Sequence, residues 1–205
     1  MNVFDSLLAK HSLISDQVSK QQVEVILREL TRVLDGGVEG AVVEFGCYIG
    51  TTSLFIRRLL DARGQSAYIP FHVYDSFEGL PTKSTWDASI TGEQFTAGEL
   101  AVSKKQFLRE FQKAHLQPPI VHKGWFKDLS PTDIPDKIAF AFLDGDFYES
   151  IRDSLRLVVP HMAHGSTIII DDYSREALPG AAKATHEYFS TAEITVVHNL
   201  GVIHL

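Results

Sequence analysis

Apolar residues recur along this chain with two alternating periods. From Ser19 to Leu34, Val23, Ile26, Leu27, Leu30, Val33 and Leu34 fall at helical spacing and predict an amphipathic helix. Gly36, Gly37 and Gly40 then interrupt the pattern, and the run Ala41–Phe45 reads as a short buried strand. Gly46 to Gly50 turn the chain, and Thr51 to Leu60 predict a helix capped by Thr51 or Thr52. The alternation continues with strands over Ile69–Tyr74, Ile120–His122, Ile138–Leu143 and Thr167–Ile170. Helices are expected over Glu99–His115, from Tyr148 to a stop at Pro160, and over Gly180–Phe189.

Strands alternating with helices imply parallel pairing through right-handed crossovers. The end of the chain departs from this rule. Glu193–Val197 and Val202–Leu205 flank a tight turn near Asn199-Leu200-Gly201, so the last strand should run antiparallel. The expectation is one Rossmann-like α/β domain with a mostly parallel central sheet, an antiparallel C-terminal strand and helices on both faces. A helical region over residues 1–40 precedes it. Pro81 to Gly98 follows neither period and is long for a connection, so it is expected to be a lid or substrate loop.

Composition narrows the function. A length of 205 residues suits one domain, and 44% hydrophobic with 22% charged residues is ordinary for a globular protein. The net charge of −7, without a run of Lys or Arg, argues against nucleic acid as a partner. The single cysteine, Cys47, excludes an internal disulfide and a cysteine-based zinc site, and reads as a packing residue. With neither a signal peptide nor a membrane-spanning run in view, the expected location is the cytoplasm. The expected partner is a small-molecule hydroxyl acceptor, with no membrane; a homo-oligomer remains open.

Ligands of open parallel sheets bind at the carboxyl ends of the strands. Gly46 and Gly50 allow a sharp turn there and a close approach to a ligand. Asp75, at the end of the second strand, stands where an acid accepts hydrogen bonds from ribose hydroxyls. That description suits both a nicotinamide dinucleotide and S-adenosylmethionine. A dinucleotide needs backbone amides free for pyrophosphate; here Cys47, Tyr48 and Ile49 fill the turn, and Glu44 precedes it. A carboxylate there suits the amino and sulfonium groups of S-adenosylmethionine.

Asp144, Asp171 and Asp172 end two strands expected to be neighbours, and three converging carboxylates call for a hard cation such as magnesium. The competing reading makes them helix-capping acids. Asp146 is the candidate general base, while Glu149 is expected in a first helical turn. Trp125 could stack near the adenine or fill the core. His72, His161 and His164 are assigned no chemistry.

The stretches VVEFGCYIGTTS, HVYDSFEGLP, KGWFKDLSP, LDGDFYESIRDSL, IIIDDYS and LPGAAKATHEYF occur in this order. Through them the chain resembles the macrocin O-methyltransferase family of S-adenosylmethionine-dependent enzymes. The resemblance implies a class I methyltransferase fold with Glu44, Gly46, Asp75 and Ser76 around the cofactor, and Tyr48, Gly50, Thr51, Phe77, Gly124, Trp125 and Asp144 are further expected cofactor contacts. It also implies a divalent metal, usually magnesium, on Asp144, Asp171 and Asp172, and an acceptor of the sugar or polyhydroxylated class. The N-terminal region is short against that family, and Pro81 to Gly98 does not match its pattern. Two rival readings share the fold: an S-adenosylmethionine-binding protein without turnover and a nicotinamide-dependent oxidoreductase.

Overall fold

The computed structural model describes residues 3–89 and 95–205. Two helices open the chain, α1 (Val3–Lys10) and α2 (Lys20–Asp35). Ser19 caps α2, and the Gln22 side chain reaches back to the Ser19 backbone. The strands are β1 (Ala41–Phe45), β2 (Phe71–Asp75), β3 (Ile120–Lys123), β4 (Ile138–Leu143), β5 (Met162–Ile170), β6 (Ile194–Val197) and β7 (Leu200–His204). The helices among them are α3 (Thr51–Ala62), α4 (Lys104–Lys113), α5 (Tyr148–Val158) and α6 (Pro179–Thr185).

One seven-stranded sheet runs in the order β3-β2-β1-β4-β5-β7-β6. All pairings are parallel except those of β7, which runs against both β5 and β6. The two-residue strand period divides the core. Val42, Phe142 and Ile169 face a cluster with the apolar sides of α2, α3 and α4. Val43, Phe45, Ala141, Leu143, Ile168 and Ile170 face a second cluster containing α5 and α6. Both faces of β1 and β4 are therefore apolar, as a doubly covered parallel sheet requires.

Several element ends differ from expectation for local reasons. α3 begins at a left-handed Gly50 with no side-chain cap, and Thr51 instead shares a 2.7 Å hydrogen bond with Ser15. α4 is shorter than the predicted Glu99–His115 because Ser103 and Gln106 form a capping box that starts the helix at Lys104. β5 begins five residues before Thr167 and includes His164; Gly165 N–H donates to the Leu205 carbonyl. α6 ends at Thr185 rather than Phe189. The last hairpin turns at His198 and Asn199, both left-handed, as a two-residue connection demands.

α5 has no cap of its own, since its N-cap position is Phe147. The cap comes from the connection after β2. Asp87 is fully buried; its Oδ1 accepts from the Tyr148 N–H at 2.7 Å, and its Oδ2 accepts from the Ser84 N–H and hydroxyl. This bond fastens residues 81–89, the first half of the expected lid, to the start of α5. Phe95 packs with Leu80, Phe147 and Leu178 at the other end of that lid, whose centre lies outside the described residues. Asp87→Ala strips partners from buried donors on both elements. A loss of about 1–3 kcal/mol is expected, read as a lower urea midpoint; an unchanged midpoint would show that the bond is dispensable.

Candidate active site

The hydrogen-bond ladder extends one residue past the strands. Gly46 N–H donates to the Tyr74 carbonyl, Asp144 N–H to Phe45 and Asp171 N–H to Leu143. The first residues of three connections are thereby held side by side at the carboxyl edge. An open cleft lies over them. Gly46, Tyr48, Asp75, Ser76, Trp125, Asp144, Asp146, Asp171 and Asp172 all line it. Among the expected site residues, Glu44, Gly50, Thr51, Phe77 and Gly124 lie outside its walls.

The glycine turn is held by Asp75. Its Oδ2 accepts from Cys47 N–H at 2.8 Å and Tyr48 N–H at 3.3 Å, while Oδ1 accepts from Phe77 N–H at 2.7 Å. One carboxylate thus clamps two loops. Each oxygen can accept two donors, so Oδ1 retains capacity for a ligand hydroxyl. Ser76 Oγ accepts from Glu78 N–H and donates to the Gly79 carbonyl, which closes the second loop. Phe77 turns inward and packs against Phe107.

The glycines serve packing more than ligand approach. At Gly46, with φ of 84°, a Cβ would fall 1.8 Å from the Asp144 carbonyl oxygen. At Gly50 a Cβ would meet the Phe107 ring at 2.9 Å. Glu44 is buried behind the turn and accepts a hydrogen bond from Ser53. Burial pushes its carboxyl up to about 8, against the Ser53 bond and with help from Asp75.

Four aspartates meet across the cleft. Asp144 is raised well above the carboxylate range, first by burial and then by Asp171, Asp146 and Asp172. Asp146, held left-handed at φ 57°, is raised by burial and by Asp172 and Asp171. Asp171 is pushed up to about 7 by burial and Asp172. Burial also raises Asp172, opposed by Arg175, whose guanidinium lies 3.1 Å away. Asp171 Oδ1 accepts from the Gln22 side-chain amide at 3.0 Å. Held in these directions, the carboxylates do not close into a ready ligand shell: no three His, Cys, Asp or Glu side chains do so among the described residues. The donor set nevertheless has the chemistry of a hard-cation site, with several oxygens whose charges oppose one another.

Gln17, Gln22 and Arg175 escaped the sequence reading. The Ser19-x-x-Gln22 spacing signals a capping box, but nothing local points to Asp171. Trp125 takes a cleft wall together with Phe126. His72 pairs with His122 at 3.1 Å, part-buried and away from the cleft, and Glu149 pairs with Arg152 in the first turn of α5. No described helix is long and apolar enough to cross a membrane.

Two predictions follow from the turn. Gly46→Val should destabilise the whole protein, because its side chain meets the backbone of Asp144 rather than a ligand's path. A variant that melts like the native protein would refute this. The second concerns pH. With Glu44 raised from 4.5 to about 8, the native state binds more protons than the unfolded chain between those values. Its contribution is complete below about 4.5 and is lost as pH rises through about 8. Glu44→Gln should flatten the fall in melting temperature across that window, and an unchanged slope would place the dependence elsewhere.

The family model for macrocin-O-methyltransferase (TylF) matches residues 10–202. The chain is 37% identical over 161 residues to an 8-demethyl-8-(2,3-dimethoxy-alpha-L-rhamnosyl)-tetracenomycin-C 4'-O-methyltransferase of Streptomyces olivaceus, covering 76% of this chain and 60% of that protein. It is 33% identical over 165 residues to a mycinamicin III 3''-O-methyltransferase of Micromonospora griseorubida, covering 76% and 62%. Among solved structures, the O-methyltransferase NovP superimposes with a TM-score of 0.79 at 29% identity, over 91% of this chain and 80% of that one. The chain thus spans about three-fifths of the length of these two curated relatives. With a match over nearly its whole length, and a class I methyltransferase sheet order to go with it, the chain belongs to the macrocin-O-methyltransferase (TylF) family.

Proposed function

We propose that this protein is an S-adenosylmethionine-dependent O-methyltransferase acting on a hydroxyl of a sugar or similar polyhydroxylated small molecule. The observation that carries the reading is the meeting of the Asp75-clamped turn with Asp144, Asp146, Asp171 and Asp172 in one cleft. In this reading Asp75 and Ser76 receive the ribose, and the backbone of Gly46 to Tyr48 lies along the methionine part. Trp125 and Phe126 offer an aromatic wall for the adenine. Glu44 supports the turn from behind through Ser53, and Gly50 and Thr51 set the start of α3 beneath it. Phe77 and Gly124 shape the adjoining loops.

The cleft opens towards a wider groove that shares Leu80, Pro81, Trp125, Phe126 and Ser150 with it and continues to Arg152. A groove of about 800 Å³ has room for an acceptor larger than a free sugar. The Streptomyces olivaceus relative is named for methylation at a rhamnosyl-bearing product, which supports a glycosylated acceptor.

In the reaction the acceptor oxygen attacks the methyl carbon in line with the departing sulfur. The new O–CH3 bond forms as the S–CH3 bond breaks, and neutral S-adenosylhomocysteine remains. The hydroxyl proton passes to Asp146, which lines the cleft beside Asp144. Asp144, Asp171 and Asp172 would hold a divalent cation, magnesium by the hardness of the donors, which when bound acidifies and orients the acceptor hydroxyl. The walls of the cleft hold both reactants in register, a large share of such an acceleration.

Methyl-labelled S-adenosylmethionine and a panel of glycosylated polyketides, with the free sugars as controls, test the proposal. Label is expected in a sugar O-methyl ether. Tight cofactor binding without transfer to any acceptor would favour a binding protein, and binding of nicotinamide dinucleotide instead would favour an oxidoreductase. Chelator should stop transfer and magnesium restore it, while cofactor affinity survives; full turnover in chelator would remove the metal from the scheme. Asp146→Asn should lower kcat by about 10²–10⁴-fold with cofactor affinity retained, and near-native kcat would assign the base elsewhere.

A further inference from the structure

α2 packs beside β5, and its first turn reaches the acidic cleft. Gln22, the third residue of that turn, is bonded at both ends of its side-chain amide. Its Oε1 accepts from the Ser19 N–H and the Ser19 hydroxyl, each at 2.9 Å, while Ser19 Oγ accepts from Gln22 N–H at 3.2 Å. Its Nε2 donates to Asp171 Oδ1 at 3.0 Å, across 149 positions of sequence.

The two ends select one orientation. A flipped amide would place its NH2 against the Ser19 N–H, donor facing donor, and its oxygen against an acidic carboxyl. The capping box therefore aims a hydrogen-bond donor at Asp171. Glutamate serves equally well in a capping box, but it could not donate to Asp171. Asp171 needs that help, being buried among Asp144, Asp146 and Asp172 with Arg175 bonded to Asp172 rather than to it.

We infer that Gln22 is a positioning residue for the methyl-transfer site: its cap-locked amide holds one oxygen of Asp171 and so presents the other to the acidic cluster. The inference rests on the proposed role of Asp144, Asp171 and Asp172 as cation ligands. Ser19 acts one step further back, by fixing which way the amide faces. The helix before the first strand thus contributes to a site otherwise built from strand ends.

Calorimetric titration of the S-adenosylmethionine-loaded protein with magnesium tests this. Gln22→Ala should weaken magnesium binding by about tenfold or more, the usual effect of removing a residue that orients a metal ligand. Cofactor affinity should stay within about twofold, because Gln22 lies outside the cofactor turn. Gln22→Glu keeps the cap but sets a carboxylate oxygen against Asp171, so it should not recover the native melting temperature in chelator. In an Asp171→Ala background, Gln22→Ala should change magnesium affinity no further. Native magnesium affinity in Gln22→Ala, or an equal loss in the Asp171→Ala background, would overturn the inference. If the native protein itself binds no magnesium, the metal reading falls, and melting temperatures in chelator judge Gln22 alone. Additive effects of Gln22→Ala and Asp171→Ala would then overturn the contact, and non-additive effects would sustain it.

Discussion

The carboxyl groups of Asp144, Asp146, Asp171 and Asp172 meet at one edge of the sheet because the ladder of β1, β4 and β5 carries their backbones there. Burial raises the proton affinity of all four, and Asp171 and Asp172 raise those of Asp144 and Asp146 further. Such a cluster opposes folding unless cationic or donor groups surround it. The surroundings follow from that requirement. Arg175 answers Asp172 from three residues along the same connection, and the Gln22 amide answers Asp171 from a distant helix. Apolar strands on both sides keep the backbones from spreading apart.

The same edge carries a second arrangement of opposite character. Around Asp75 a single carboxylate meets three backbone N–H groups, so its charge is used to organise two loops. The turn it organises must lie tight against β4, and that is why Gly46 has no room for a side chain. The clamp and the acidic cluster thus share a backbone contact, Gly46 against the carbonyl of Asp144. A shift in one displaces the other, which ties the geometry of the turn to that of the acids.

Much of this was legible in the sequence. Short continuous apolar runs located the central strands, and β1 and β4 fall on their expected bounds because both of their faces are buried. The Asp-Ser-Phe-Glu-Gly and Asp-Gly-Asp stretches placed the acids at strand ends, where the structure has them. What escaped depended on distant partners. β5 was read short because His164 and Gly165 break its apolar run, although Gly165 still bonds to Leu205. Asp87 looked like a loop residue; only the absence of a local cap at Phe147 hints that α5 borrows one. Gln22 announced its cap but not its target, since a local spacing cannot name a partner on another strand.

The division between strand ends and connections also separates the parts of the cleft that are free to vary from those that are not. Asp75 ends β2, and Asp144 and Asp171 are the first residues beyond β4 and β5, where the ladder dictates their positions. The opposite walls, Leu80, Pro81, Leu100 and Phe126, come from connections with no sheet neighbour to constrain them. Those walls are nevertheless fastened by single deep contacts: Asp87 into α5, and Phe95 beside Leu80 and Leu178. A connection anchored at a few points can change between its anchors without moving them. Cleft positions held at the strand ends and cleft walls held by anchored loops can therefore vary separately.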